Sequence, residues 1–316
     1  MPCLERGTRT LACAAGWHDN YSQIAERPCL RLLASDISST LRCLKTVVVR
    51  YQSFVVSCKL DTGTAMERRL AEQRFHDEQA AERAASFRAG RADLRFEDAA
   101  FLDHETWIRP AFGMLGSLSG KCALDYGCGH GMAAVTLARA GATVTAFDLS
   151  PGYVREAEER ALANGVSVHG LVADGESLPF ADATFDAVWG NAILHHLDWS
   201  IAGPELYRVL KPGGVAVFCE PWGGNPLLRF ARRFLPYPGK DRTPDERPLQ
   251  PSDLPPMRQL FPQLHVRGFQ LFGMLRRVWP NRRFTRMLDG IDRCLLHAMP
   301  FLENRCRYIV LTLTKS

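Results

Sequence analysis

The stretch that decides the fold of this 316-residue chain is Leu124-Asp125-Tyr126-Gly127-Cys128-Gly129-His130-Gly131-Met132. Three glycines stand at alternate positions between an apolar, strand-like run and a helix-like run. Glycines at this spacing let the backbone turn tightly and lie against a ligand, because no Cβ stands in the way. The helix that follows directs its unpaired N–H groups back toward the turn. The stretch therefore predicts a cofactor-binding turn between a strand and a helix.

A dinucleotide site is one interpretation of this turn. Gly129, Gly131 and Ala134 satisfy the pattern G-x-G-x-x-G/A. Asp148 stands about 20 residues further on, where that pattern places an acid that binds a ribose. The match is weak evidence when it stands alone, so a nucleotide-dependent oxidoreductase is one hypothesis and needs a second observation.

The other interpretation starts from Asp125, which stands two residues before Gly127. A dinucleotide would place an anionic pyrophosphate at the helix N-terminus, and a nearby carboxylate would repel it. The acid followed by alternating glycines resembles motif I of the class I S-adenosylmethionine-dependent methyltransferases. S-adenosylmethionine carries a sulfonium and an ammonium group and no phosphate, so Asp125 favours the methyltransferase interpretation.

Later segments follow the order of the same family, over about residues 121–220. The run Thr143-Val144-Thr145-Ala146-Phe147-Asp148 is a second buried strand with an acid at its end, and a third strand leads into Ala173-Asp174-Gly175. A fourth strand precedes Asn191, and Lys211-Pro212-Gly213-Gly214 leads into a fifth. In this family the acid after the second strand binds both ribose hydroxyls, and the acid after the third binds the adenine amino group.

The resemblance implies an S-adenosyl-L-methionine site. The implied cofactor-binding residues are Asp125, Gly127, Cys128, Gly129, Gly131, Asp148, Leu149, Asp174, Gly175 and Asn191. A single Asp at a strand end often only holds a turn. Three acids at the ends of three successive strands fit a ligand better, because open α/β sheets bind ligands beyond the carboxyl ends of their strands. Asp186 begins a strand, so we interpret it as a turn residue.

Two histidines after the fourth strand, His195 and His196, are the candidate catalytic residues. Methyl transfer needs a general base only when the acceptor enters protonated, and histidine titrates near neutral pH. The alternative is that one histidine packs behind the strand while the other bonds to the backbone. Adjacent residues on a helix point about 100° apart, so we predict no metal site at this pair. Glu220, at the end of the fifth strand, is a candidate for polar contact with the substrate.

The fold predicted from this order is α/β: a doubly wound, Rossmann-like, seven-stranded and mostly parallel sheet. In the resembled fold the last strand runs antiparallel between the fifth and sixth. Strand-like runs at 264–271 and 307–313, with a helix at 284–296 between them, supply these elements. We predict an extension at 1–65, a helical N-terminal lid at 66–120, a cofactor-binding core at 121–220, and a basic substrate cap with the remaining strands at 221–316.

The first 65 residues hold five of the ten cysteines and lack a clear pattern over most of their length. We interpret them as a poorly ordered extension or an artefact of start-site choice, with Met66 as the true beginning; an ordered segment is the alternative. Helices are predicted at 71–87 and at 97–118, the second interrupted at Arg109-Pro110. Phe75, His76 and Trp107 either line the lid or pack in the core.

The segment 221–290 carries thirteen Lys and Arg against five Asp and Glu. Asn225-Pro226 is typical of a helix start. The following helix places Leu227, Leu228, Ala231, Phe234 and Leu235 on one face and Arg229, Arg232 and Arg233 on the other. Such a helix either packs in the core or contacts a membrane surface or an anionic substrate. Nucleic acid is a weaker candidate, because the sequence shows no known module for binding it.

No apolar run is long enough to span a membrane, the chain does not begin like a secreted protein, and no cysteines have C-x-x-C spacing. These features predict a reduced, cytoplasmic protein. The function predicted is methyl transfer from S-adenosylmethionine to a small-molecule or lipid-like acceptor, at O, N or C. An acidic acceptor and a peripheral membrane contact both fit the basic cap, and the oligomeric state is undetermined. A nucleotide-dependent oxidoreductase and a non-catalytic S-adenosylmethionine-binding regulator are the alternatives.

Overall fold

A seven-stranded sheet organises the part of the chain that the computed structural model describes, which is residues 63–234, 247–277, 279 and 281–316. The strands are β1 Cys122–Tyr126, β2 Thr143–Asp148, β3 Val168–Val172, β4 Phe185–Asn191, β5 Leu210–Pro221, β6 His265–Phe269 and β7 Tyr308–Thr314. The helices are α1 Gly63–Arg88, α2 Asp98–Leu102, α3 Ile108–Met114, α4 Met132–Arg139, α5 Pro151–Ala163, α6 Trp199–Val209, α7 Pro226–Phe234, α8 Leu254–Leu260 and α9 Arg282–Ala298.

The strand order is β3-β2-β1-β4-β5-β7-β6. The first five strands of this order run parallel, and β7 pairs antiparallel with both β5 and β6. The predicted α/β fold, with an antiparallel last strand between the fifth and sixth, is confirmed. Tyr126 stands level with Phe147 on one side and with Gly190 on the other. The carboxyl ends of β1, β2 and β4 therefore meet at one edge of the sheet.

Helices cover both faces of the sheet, which explains why its strands are continuous apolar runs in the sequence. One apolar cluster, around Phe147, Phe180 and Phe218, lies on one face. A second cluster, around Trp189 and the helices α2, α3 and α4, lies on the other. Since both faces are buried, the polar groups that serve a ligand are restricted to the edge where the strands end.

The break in the second helical region lies earlier than the sequence predicts. The structure divides this region into α2 and α3, with the irregular stretch at 103–107. Pro110, predicted to interrupt the helix, is the third residue of α3. Proline is tolerated there because the first N–H groups of a helix have no intrahelical partner. The predicted interruption at Arg109-Pro110 is therefore wrong in position.

The predictions for the N-terminal extension concern residues that are almost all outside the described part of the chain. Only 63–65 of that segment are described, and they form the start of α1. Whether the native protein begins at Met66 stays a prediction, as does the division into an extension, a lid, a core and a cap. Within the described residues, no helix combines the length and the apolar character needed to cross a bilayer.

Candidate functional site

A cavity of about 220 Å³ opens at the carboxyl ends of β1, β2 and β4. Of the residues predicted from the sequence, those that line it are Gly127, Gly129, Asp148, Leu149, Asp174, Gly175, Asn191 and His196. Four predicted residues do not line it, namely Asp125, Cys128, Gly131 and His195. The cavity thus brings together residues from the ends of four strands, β1, β2, β3 and β4, separated by up to about 70 positions in the chain. Open α/β sheets place their ligands at this edge.

The glycine turn has two different local requirements. Gly129 has φ +48°, and a Cβ placed there would meet no atom within 4 Å, because the position faces the cavity. Gly131 has φ +76°, and a Cβ there would stand 2.5 Å from Cα of Ala157. Gly131 therefore permits α4 and α5 to pack closely, whereas Gly129 leaves open a cradle that a side chain would fill.

Asp148 is the last residue of β2, and its side chain lies beside the open space at Gly129. Its Oδ2 accepts a hydrogen bond from the backbone N–H of Gly129 at 2.9 Å, and its Oδ1 accepts one from the N–H of Ser150 at 2.9 Å. Burial raises the pKa of the Asp148 carboxyl, and these two N–H bonds oppose the rise. A carboxylate oxygen has two acceptor sites, so each oxygen can accept one more hydrogen bond, as a pair of ribose hydroxyls would require.

Asp125 lies beneath the turn and not in the cavity lining. Its side chain is buried, and its Oδ2 has no hydrogen-bond partner. Burial raises the pKa of this carboxyl to about 7, even though the backbone N–H of Ala134 lowers it. The sequence implies that Asp125 attracts the cationic end of the cofactor, directly or through water, and this role stays a prediction. Asp125 is thus a buried carboxyl outside the cavity lining, with no hydrogen-bond partner for its Oδ2.

Asp174 follows β3 and is held from two sides. Its Oδ1 accepts the backbone N–H of Glu176 at 2.8 Å, and its Oδ2 accepts Nη1 of Arg69 at 2.5 Å. The neighbouring carbonyl of Gly175 accepts the hydroxyl of Tyr126 at 2.6 Å. These bonds fix the loop after β3 against β1 and against α1.

The helix α1, which lies in the segment 66–120 predicted as a lid, forms the roof of the cavity. Its cavity-lining residues are Arg68, Arg69, Glu72 and His76. Nη2 of Arg68 pairs with Oε1 of Glu176 at 2.7 Å. The roof residues recur every three or four positions, so they share one helix face, and this spacing was the available signal. Their partners lie more than 100 positions away, which no local pattern reveals.

His195 and His196 point to different carboxylates. Nδ1 of His195 lies 2.7 Å from Oε2 of Glu220, and both side chains are buried outside the cavity lining. Nδ1 of His196 lies 2.9 Å from Oε1 of Glu72, and His196 lines the cavity. Of the two histidines, His196 is the one that a substrate in this cavity would meet.

Glu220, predicted as a polar contact for the substrate, is fully buried. Its Oε1 accepts the backbone N–H groups of Ile193 at 2.9 Å and Leu194 at 2.8 Å. The carboxylate therefore holds the turn after β4, and the expectation of direct substrate contact is wrong for the described cavity. Trp107, predicted as a lid residue or a core residue, is buried and stacks on Tyr308 with ring centroids 3.9 Å apart.

Two neutral polar residues in the lining were not predicted. Burial, together with nearby Arg83 and Arg160, lowers the pKa of His130 to about 4, so its imidazole is uncharged at neutral pH. Burial raises the pKa of Tyr153 to about 12. Within the described part of the chain, no cluster of His, Cys, Asp or Glu has the arrangement of a metal site.

Comparisons with known proteins agree on the central segment. Residues 124–218 match the family model described as "Methyltransferase domain". A malonyl-[acyl-carrier protein] O-methyltransferase of Herminiimonas arsenicoxydans is 39% identical over 114 residues, which are 35% of this chain and 42% of that protein. A demethylmenaquinone methyltransferase of Thermobifida fusca (strain YX) is 39% identical over 120 residues, 36% of this chain and 49% of that protein.

Among solved structures, a geranyl diphosphate C-methyltransferase from Streptomyces coelicolor A3(2) aligns with 66% of this chain and 78% of its own, at 17% identity and a TM-score of 0.47. This chain spans about half the length of the curated relatives it matches. The family model ends at residue 218, within β5, so α1 and the elements after β5 lie outside that match.

Proposed function

We propose that the protein transfers a methyl group from S-adenosylmethionine to a small-molecule or lipid-like acceptor, with the cofactor held by the segment 124–218 that matches the methyltransferase domain model. The observation that carries the proposal is the meeting of Asp148, Asp174 and the open position at Gly129 around one cavity. The acceptor atom, O, N or C, is not specified by these residues.

The residues around the cavity fit this cofactor. Gly129 leaves space beside the backbone, Asp148 keeps one acceptor site on each oxygen, and Oδ2 of Asp125 is an unpaired acceptor close to the turn. Asp148 would hold the ribose and Asp174 the adenine, with Asn191 and Leu149 completing the walls. When bound, the cofactor supplies a methyl group that its positively charged sulfur has already activated.

The same residues disfavour a dinucleotide. A pyrophosphate at this turn would need the backbone N–H of Gly129, but Asp148 already accepts that hydrogen bond. The carboxylate of Asp148, which lines the cavity, would also repel the phosphate charge in a weakly screened environment. The nucleotide-dependent oxidoreductase is therefore not favoured.

For an acceptor that enters protonated, we assign the general base to His196. The carboxylate of Glu72 favours the tautomer with hydrogen on Nδ1, so Nε2 is the nitrogen that can take a proton. His195 is a weaker candidate, because it is buried against Glu220. For an acceptor that is already an anion, no base is required, and catalysis consists of holding the acceptor in line with the methyl group.

The finer features of the acceptor are part of the proposal. The relatives named above act on a malonyl group carried by acyl-carrier protein and on demethylmenaquinone. We therefore favour an acidic or a lipid-like acceptor, which also fits the basic charge of residues 221–290. The cytoplasmic location predicted from the sequence stays a prediction.

A radiolabelled methyl donor tests the proposal. The purified full chain would be incubated with labelled S-adenosylmethionine and an acceptor panel containing malonyl thioesters, isoprenoid quinols, phenols and amines. We expect labelled product from at least one acceptor and its loss in the double variant D148A/G129V. Tight cofactor binding without transfer to any acceptor would favour the non-catalytic regulator, and binding of a nicotinamide cofactor alone would establish the oxidoreductase.

A further inference from the structure

Exposed apolar side chains are concentrated in the C-terminal part of the described chain. Thirteen large apolar residues are exposed among the described residues, and eight of them lie in the segment 227–301. These eight are Leu227, Phe230, Phe272, Leu275, Trp279, Met287, Ile291 and Phe301. Single exposed apolar residues are ordinary, but a concentration of them marks a surface that contacts another molecule or a membrane.

Helix α9 presents an apolar stripe to solvent. The stripe consists of Met287, Ile291, Cys294 and Ala298, which recur at helical spacing and are all exposed. The helix joins the fold by a different face, because Leu288 and Asp292 are buried. The exposed stripe is therefore not a part of the core that the helix happens to leave partly covered.

The exposed charges next to this stripe are positive. Arg283, Arg286 and Arg293 are exposed on the same helix. Asp292 does not contribute an exposed charge, because it is buried and its two carboxylate oxygens accept the backbone N–H groups of Phe272 and Gly273 at 2.8 and 2.9 Å. An apolar stripe flanked by arginines is the pattern of helices that lie in the interface of a bilayer and attract anionic lipids.

The neighbouring elements that carry exposed apolar side chains are attached to α9. The bonds to Asp292 tie the segment of Phe272 to α9, and the ring of Trp279 lies 5.7 Å from that of Phe284 on α9. The turn that carries Phe301 follows α9 directly. The exposed apolar groups thus belong to segments that are held together, and not to unrelated places on the molecule.

The start of α7 adjoins this surface. Nδ2 of Asn225, the residue before α7, donates to the carbonyl of Arg305 in the turn after α9, at 2.8 Å. The side chains of Leu227 and Phe230 are 78% and 62% exposed, with exposed Arg229 between them. The sequence left core packing and surface contact as alternatives for this helix. The exposure of Leu227 and Phe230 excludes core packing for these two side chains.

We propose that α9, the start of α7 and the turn at Phe301 bind the surface of a bilayer that contains anionic lipids. Charge complementarity selects this occupant: a second copy of the chain would oppose arginines with arginines, whereas anionic headgroups would neutralise them. The proposal rests on the proposed function in one respect, since it places the enzyme at the surface where a lipid-like acceptor resides.

Cosedimentation of the full chain with vesicles tests this surface. The vesicles would contain phosphatidylcholine alone or phosphatidylcholine with phosphatidylglycerol. We expect binding to the anionic vesicles, reduced at least about tenfold in M287Q/I291Q, because two apolar side chains lose their contact with the acyl region. R283Q/R286Q should lose about tenfold on anionic vesicles only. The matched control is L162Q/I201Q, which removes exposed apolar side chains from α5 and α6 and should bind like the unaltered protein.

Calorimetric binding of S-adenosylhomocysteine by every variant checks folding and separates the two proposals. If the unaltered chain binds anionic vesicles but does not bind S-adenosylhomocysteine, the proposed function is wrong and the membrane-surface proposal is unaffected. Failure of the unaltered chain to bind anionic vesicles, or equal binding by M287Q/I291Q, would overturn the surface proposal. A dimer in solution that M287Q/I291Q dissociates would assign the stripe to a second copy and would also overturn it.

Discussion

At the scale of single residues, the site depends on carboxylates that hold the backbone and still have capacity for a ligand. Asp148 shows this most directly, because both of its oxygens accept backbone N–H groups while each keeps a second acceptor site. The sequence could place Asp148 and Asp174 at strand ends, since acids after buried apolar runs are visible in a single chain. It could not show that Asp125 lies below the cavity, because depth depends on how the turn folds over it.

Replacing Asp148 with Ala should weaken binding of S-adenosylhomocysteine by about 1–3 kcal/mol, the usual cost of leaving buried hydrogen-bonding groups unpaired. Titration calorimetry measures the change. The control is Asp103→Ala, which removes an exposed carboxylate paired with Arg109 far from the cavity lining. Equal affinities for D148A and the unaltered protein would remove Asp148 from the site.

The two glycines of the turn should separate binding from stability. Both adopt positive φ, so alanine costs about 1–2 kcal/mol of folding free energy at either position. Gly131→Ala should lose clearly more stability, because its Cβ would stand 2.5 Å from Ala157. Gly129→Val should weaken ligand binding, because its side chain would fill the open space at the cavity.

Urea unfolding of G129A and G131A measures the difference in stability, and calorimetry of G129V measures the loss of affinity. Equal unfolding midpoints for G129A and G131A would contradict the prediction.

Asp125 should make stability fall as the pH rises. Its folded pKa of about 7 lies above the usual 3.8, so the folded state binds more protons between these values and the free energy of unfolding decreases as pH increases through them. Asp125→Asn should remove the part of that decrease that Asp125 contributes, roughly 1–4 kcal/mol between pH 4 and 7, while the buried Asp148, whose pKa is also raised, keeps a slope of the same sign. His130, with its lowered pKa, contributes the opposite slope in both proteins, so it cancels in the difference.

Urea unfolding of the unaltered protein and D125N across this pH range measures the effect. The change of the unfolding free energy with pH tests the prediction. The absolute stability of D125N does not, because its asparagine amide also has a group without a partner, which shifts the stability equally at every pH. Parallel curves for the two proteins would show that Asp125 titrates normally in the folded state.

At the scale of elements, the strands and a helical lid segment were predictable, but the contacts that hold the lid helix over the cavity were not. The run 143–148 is a strand with the predicted bounds, because a strand buried on both faces is a continuous apolar run. The helix α1 was predicted from its composition, but its function as a roof depends on pairs such as Arg69–Asp174 and Glu72–His196. These pairs join residues more than 100 positions apart, so only the folded chain brings them together.

The pair Glu72–His196 gives this element a catalytic test. For an acceptor that enters protonated, His196→Asn should lower kcat by about 10²–10⁴-fold, the usual contribution of a general base. For an acceptor that is already a carboxylate, the same variant should change kcat little. Glu72→Gln should share the first effect in part, whereas the control Glu78→Gln, exposed on the same helix, should not. Equal losses on both acceptor types would assign His196 a structural role.

At the scale of the whole molecule, the match to the family model covers residues 124–218, and residues from outside that segment complete the cavity. The roof comes from α1, and the exposed apolar surface comes from α7, α9 and the turn between α9 and β7. Such additions to a common core set what an enzyme of a widespread fold acts on. The sequence predicted a basic C-terminal cap. Whether its apolar side chains pack in the core or face solvent is visible only in the folded structure.

A chain that begins at Met66 should keep its cofactor site, because every described side chain that lines the cavity follows that residue. Its affinity for S-adenosylhomocysteine should stay within about twofold of the full chain, a difference of less than 0.5 kcal/mol or so. Calorimetry of the two purified forms tests this. A large loss of affinity in the shorter form would show that residues 1–65 contribute to the site.

The edge of the sheet where β1, β2 and β4 end is proposed to bind the S-adenosyl nucleoside of the methyl donor or of its demethylated product, and not a pyrophosphate. A crystal structure of the protein grown with both S-adenosylhomocysteine and an excess of a nicotinamide dinucleotide tests it most directly. We predict density for S-adenosylhomocysteine in this cavity, with its ribose hydroxyls on the carboxylate of Asp148. Density for the dinucleotide there instead, with its pyrophosphate at Gly129, would contradict the claim.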